Sequence, residues 1–185
     1  TPFILSQGKD FLVTHKPWMH LWRALVGLAA MYGFFYAIAH LPLSNAMVFT
    51  YSSPVFIPLV AWLFLKERIT PLMLLAAFVG LIGVGLVAKP DVGMFNGLSL
   101  VGISSSFLAA MAFVTVRALA ATEPATRTVF YFCLIATFVS AIPMCWHWRI
   151  LTLQELYYLV GAGTLATISQ ISLSKAYAYA PAGKI

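Results

Sequence analysis

Between His40 and Lys66 the chain runs through more than twenty residues without a formal charge. A run of that length crosses a bilayer as a helix. This one also carries Ser, Asn, Thr and Tyr, and prolines at Pro54 and Pro58. A helix that only had to sit in lipid would need none of these. Proline inside a spanning helix frees backbone groups that neighbours, or water in a cavity, must satisfy. The stretch therefore reads as a kinked span that lines something polar. It is entered through a turn at Pro42 and left through Lys66-Glu67-Arg68.

The rest of the chain follows the same pattern. Of 185 residues, 62% are hydrophobic and 9% charged, where soluble domains carry about 25% charged residues. Such a chain cannot cover a water-facing surface, so an all-α integral membrane protein is expected, with the lipid bilayer as a partner. The net charge of +6 is not a nucleic-acid signal, because the basic residues sit singly or in pairs between apolar runs. Cys133 and Cys145 are twelve positions apart in one apolar run. Twelve helical residues span about 18 Å, well beyond the ~7 Å that a disulfide allows, so both read as packing residues. No phosphate-binding Gly-rich loop, His-Glu-x-x-His motif or Cys/His cluster is present, so neither cofactor nor metal is expected.

Six complete spans are expected, at residues 21–41, the stretch described above, 69–88, 97–119, 128–146 and 153–179, with a seventh beginning at Pro181. Trp18 and Trp22 mark an interfacial belt, and Arg23 beside them reads as a residue that snorkels to the headgroups. Loops alternate sides. One set, with the adjoining span ends, holds Lys9, Lys16, Arg23, Lys66, Arg68, Arg117, Arg127, Lys175 and Lys184. The other holds only Lys89 and Arg149. The first set is assigned to the cytoplasm. The segment Tyr36-Ala-Ile-Ala-His-Leu-Pro-Leu-Ser-Asn-Ala46 is echoed by Lys175-Ala-Tyr-Ala-Tyr-Ala-Pro-Ala-Gly-Lys-Ile185, with Pro42 matching Pro181, Ala37 matching Ala176 and Ala39 matching Ala178. The first turn faces outside and the second the cytoplasm, so the repeat is inverted, as in many secondary transporters.

The stretch from Arg23 to Lys89 resembles the EamA domain of the drug/metabolite transporter superfamily. The residues that carry the resemblance are Trp22-Arg23-Ala24, the Tyr36–Ala46 turn, Ser53-Pro54, the Leu65-Lys-Glu-Arg-Ile69 helix end, and Gly80 with Gly83 and Gly85. The resemblance implies a ten-helix bundle of two inverted five-helix repeats with both termini cytoplasmic. Residues 1–89 would be the first repeat, lacking its first helix and most of its second. Residues 90–185 would be the second, lacking its last two. The chain then reads as a piece of a longer protein. The implied role is the movement of a small organic metabolite across the bacterial inner membrane by alternating access: an amino acid, an S-adenosylmethionine-like compound, a metallophore or a drug. The competing readings are a membrane-embedded enzyme on lipid-like substrates, for which the His147 and Glu155 loop is the only place to look, and a non-transporting subunit.

Polar groups in mid-span are the candidate substrate contacts. Tyr32 and Tyr36 lie four apart on one helical face. Thr50, Tyr51 and Ser53 surround Pro54. Ser104, Ser105, Thr167 and Gln170 complete the set. Against this, a hydroxyl can bond back to a helix carbonyl, and an aromatic stripe can be packing. An aromatic pocket would suit an organic cation or a planar metabolite. Glu67 is a candidate gate at the cytoplasmic mouth, or else the partner of Lys66 or Arg68 in a local ion pair. Arg117 and Lys175 read as snorkelling residues that could also meet an anionic substrate. His15, His20, His40 and His147 read as interfacial side chains. The spacing of Gly80, Gly83 and Gly85 marks a face for close helix contact, and a homodimer through Gly80 and Gly83 is one use of it.

Overall fold

A computed structural model describes residues 13–88, 97–146 and 151–179. Among the described residues every regular element is an α-helix: α1 (Pro17–His40), α2 (Leu43–Thr50), α3 (Ser53–Leu65), α4 (Pro71–Ala88), α5 (Ser99–Ala120), α6 (Ala125–Met144) and α7 (Leu153–Tyr179). Pro17–His40, Leu43–Leu65, Ser99–Ala120, Ala125–Met144 and Leu153–Tyr179 are each long and apolar enough to cross a membrane, and Pro71–Leu86 is a shorter apolar helix. The expected echo at Pro181 lies outside the described residues.

Local chemistry sets the helix ends. Pro17 opens α1, where its fixed φ and missing N–H cost nothing. The helix stops at His40 because Leu41 precedes Pro42 and is held extended (φ −115°, ψ 154°). α3 ends on Lys66, a left-handed residue (φ 55°) in a place usually given to glycine. The Glu67 N–H then bonds back to Ala61 O at 3.4 Å, and the chain reverses. At the other side of the bundle, Thr152 and Glu155 cap α7 reciprocally. Glu155 Oε2 accepts from the Thr152 N–H at 2.9 Å, and the Glu155 N–H donates to Thr152 Oγ1 at 3.3 Å.

The kink expected near Pro54 is a break. α2 ends at Thr50, Tyr51 and Ser52 form a turn, and α3 restarts with Pro54 in its first turn. The loosened carbonyl of Phe49 accepts the Ser52 hydroxyl at 2.5 Å and also the hydroxyl of Ser106 from α5. The same carbonyl also accepts the Ser52 N–H at 3.1 Å, so backbone and side chains together satisfy the end of α2, which lipid could not do.

α1 and α5 form the central pair. α2 and α3 pack on α5, α6 packs on α1, and α7 lies against α5 and α6. α4 touches only the α2–α3 side to any extent. One buried cluster joins Ile57, Val60 and Ala61 to Ala110, Val114, Val116 and Tyr177; a second joins Ala37, Leu41, Ala46 and Phe49. Gly102 lets Phe49 in, since a Cβ there would lie 2.8 Å from the ring. The glycine face of α4 makes no such contact among the described residues: a Cβ on Gly80, Gly83 or Gly85 would meet nothing within 4 Å. Cys133 and Cys145 are both on exposed faces, not in the packed interior expected of them.

Candidate functional site: a cavity around Arg23

A cavity of about 230 Å³ opens between α1, α2, α5, α6 and α7. Its most polar wall is Arg23, and here the structure corrects the sequence reading. Arg23 does not snorkel. α1 starts four residues earlier than expected, at Pro17, so Arg23 stands six residues, about 9 Å, into the helix. Arg23 is 4% exposed. Its Nη2 donates to Gln170 Oε1 at 3.0 Å, and its guanidinium carbon sits 3.8 Å from the centroid of the Phe132 ring. Gly27, one turn on, makes the seat: a Cβ there would lie 2.8 Å from Nη1. One turn before Arg23, His20 is 1% exposed and stacks on Tyr131 at 4.8 Å. It too is buried in the bundle, not interfacial.

Of the residues expected to meet substrate, the structure brings Thr50, Ser105 and Gln170 to this cavity, with Phe34, Phe113 and Phe132 supplying apolar walls. The hydroxyls are already committed: Thr50 Oγ1 donates to Ala46 O at 2.9 Å and Ser105 Oγ to Ala30 O at 2.6 Å. The remaining candidates lie elsewhere. Tyr32 donates to Ser140 at 3.3 Å beside a separate crevice. Tyr36 stacks on His40 at 4.1 Å. Tyr51 lines an open groove with Leu43, Met47, Gly80 and Gly83. Ser53 and Pro54 open α3, and Pro54 is exposed. Ser104 is exposed in another crevice. Thr167 donates to Gly163 O at 2.8 Å. The cation that meets an aromatic face in the cavity is the protein's own, so an organic cation there would face like charge.

A second polar layer lies at the end assigned to the cytoplasm. Arg117 does not snorkel either. Its Nε donates to Glu67 Oε1 at 3.2 Å and its Nη1 to Tyr177 O at 2.6 Å. This ties the end of α3 to α5 and α7 through an ion pair with a residue fifty positions away. Nearby, Glu123 accepts from Thr14 at 2.8 Å and from Arg127 at 2.6 Å. Burial pushes the Glu123 carboxyl up, but the hydrogen bonds from Arg127 and Thr14 and the charge of Arg127 outweigh it and leave it below the usual carboxylate range. Sequence reasoning passed over Arg23 because Trp22 beside it is a belt residue. A signal was present in the pair Arg23 and Gly27, a long cation with a missing side chain one turn away.

A bundle of apolar helices enclosing a polar-anchored cavity defines a multi-pass membrane protein. Residues 1–89 match the EamA-like transporter family. The chain is 34% identical to a protein named pseudopaline exporter of Pseudomonas aeruginosa, over 87% of this chain and 57% of the relative. It is 27% identical to one named S-adenosylmethionine uptake transporter of Rickettsia bellii, over 95% of this chain and 60% of that protein. It is 28% identical to one named riboflavin transporter of Rhizobium johnstonii, over 100% of this chain and 61% of that protein. The chain thus spans about three fifths of the length of these relatives. No solved structure matches it.

Proposed function

We propose that the whole protein moves a small organic metabolite across the bacterial inner membrane by alternating access, and is a carrier, not an enzyme. The observation that carries this reading is the buried Arg23–Gln170 contact facing a cavity at the junction of five helices. The names of the relatives support a small-metabolite cargo. Residues 1–89 and 90–185 are read as parts of two inverted repeats that rock about the cavity. Glu67 is the gate: its bond to Arg117 links the two parts at the cytoplasmic mouth, and rocking must break it. The test is flux through the full-length protein in proteoliposomes, with a panel of amino acids, nucleosides and quaternary amines. Saturable flux that Glu67→Gln alters is expected. Absence of flux for every compound, with a stable partner protein on purification, would sink the transporter reading. The open glycine face of α4 supports a homodimer through Gly80 and Gly83. Light scattering of the detergent-solubilised protein should then give a dimer mass that Gly80→Leu halves.

A further inference from the structure

Arg23 lies within the apolar part of the bundle, and its partners among the described residues are neutral. They are the Gln170 carbonyl oxygen and the face of Phe132, and among the described residues its Nε meets no acceptor. Among the described residues no carboxylate lies within ion-pair distance of it. Glu67 is bound to Arg117 and Glu123 to Arg127, while Glu155 caps the far end of α7. A guanidinium stays charged in a protein, and a buried charge without a counter-charge is costly to keep. Charged side chains at such depth mark sites where something polar binds. What completes this one is a planar two-oxygen anion, the shape that a guanidinium grips best. Because arginine can only donate, Gln170 must present its oxygen to Arg23, which leaves its amide N–H₂ as a second donor on the cavity wall. The apolar walls are Phe34, Phe113 and Phe132, the last in contact with the guanidinium itself.

We propose that Arg23 and Gln170 form the anchor for the carboxylate of an organic anion whose apolar body lies among Phe34, Phe113 and Phe132. This deepens the transport reading by naming the substrate class. A single cation balances a single negative charge. A doubly charged phosphate would keep one charge unmet in a low dielectric, so the site favours the monoanion.

The test uses the purified full-length protein and three probes: 3-phenylpropionate, its uncharged amide 3-phenylpropionamide, and phenyl phosphate. Affinities are read by calorimetry and by ligand-induced thermal shift. The carboxylate is expected to bind at least tenfold tighter than the other two. Arg23→Gln should abolish this preference and Arg23→Lys should retain it in weakened form. If Arg23→Gln does not fold, Gln170→Glu decides the matter. It places a carboxylate of the chain's own on Arg23, so the fold is kept and carboxylate binding is lost. Equal affinity for carboxylate and amide would overturn the proposal, and is the result expected if an acid elsewhere in the full-length protein already neutralises Arg23. So would a preference for phenyl phosphate, binding of no probe, or carboxylate binding untouched by Gln170→Glu. Flux of neutral compounds unaffected by Gln170→Glu would leave the transport reading standing and remove this one. Carboxylate binding without flux would do the reverse.

Discussion

Arg23 Nη2 and Gln170 Oε1 meet at 3.0 Å although the residues are 147 positions apart in the chain. The bond joins α1 to α7, a helix whose surface is otherwise mostly exposed to the surroundings. Replacing Gln170 by Leu takes away the acceptor and leaves a buried cation with fewer partners. Hydrogen bonds to charged groups contribute about 1.5–3 kcal/mol, and side-chain bonds inside membrane bundles average nearer 0.6. A loss of about 1–2 kcal/mol is expected. Reversible unfolding of the detergent-solubilised full-length protein checks it, and an unchanged midpoint would mean that the bond does not hold α7.

Glu67 and Arg117 form a contact of another kind. Their side chains are about a quarter exposed, 22% and 24%, so the pair itself is worth under about 1 kcal/mol. Arg117 also serves the Tyr177 carbonyl, so Arg117→Gln should destabilise more than Glu67→Gln. A double-mutant cycle on the two substitutions should give a coupling energy below ~1 kcal/mol in unfolding. The same cycle on flux should show a larger effect, as a gate requires. Coupling confined to unfolding would argue against gating.

Glycine substitutions should separate two faces of the bundle. Gly102→Ala puts a methyl 2.8 Å from the Phe49 ring and 3.0 Å from its Cβ. Overpacking of this kind costs about 1–3 kcal/mol. Gly83→Ala meets nothing within 4 Å, so as a monomer it should be neutral or stabilising through helix propensity, by up to about 1 kcal/mol. Melting temperatures of the two variants, measured side by side, check the contrast.

Glu123 makes stability depend on acid. Its carboxyl sits below its ordinary value of 4.5 in the folded protein, so the unfolded chain takes up a proton first as pH falls. The stabilisation is fully present above about pH 4.5 and is lost as pH drops through the lower folded value. Unfolding midpoints measured from pH 7 downwards should fall in that window. Glu123→Gln should start lower and show a shallower decline. Parallel curves for the two proteins would show that the Thr14–Glu123–Arg127 cluster does not set the acid response.

How much of this was legible beforehand depended on how far each cause reaches along the chain. The turn at Pro42 and the helix end at Lys66 are local effects of ring geometry and charge, and they appear where the sequence placed them. The break at Tyr51 was signalled by Pro54, but the Ser106 hydroxyl that bonds the Phe49 carbonyl there comes from a helix distant in sequence. Arg23 carried only a faint local signal, the missing side chain at Gly27 one turn away. Successive residues on a helix point roughly 100° apart, so Trp22 faces outward, half exposed, while its neighbour Arg23 faces the cavity. Which face is inward depends on α5, α6 and α7. The same holds for Arg117, whose partners Glu67 and Tyr177 come from two other helices. Tyr32 and Tyr36 share a face, as their spacing required, but that face is not the one turned to the cavity.

The interruption at Tyr51 and Ser52 also has a mechanical meaning. An unbroken helix carries a twist from one membrane surface to the other through its continuous ladder of bonds. Here the ladder is cut, and the span becomes two short levers, α2 and α3, that share a fulcrum at the Phe49 carbonyl. That carbonyl is held by the Ser52 N–H and by the hydroxyls of Ser52 and Ser106. Both levers rest on α5, α2 through Phe49 at Gly102 and α3 through Val60 and Ala61, so α5 is the beam across which the two halves of this span are joined.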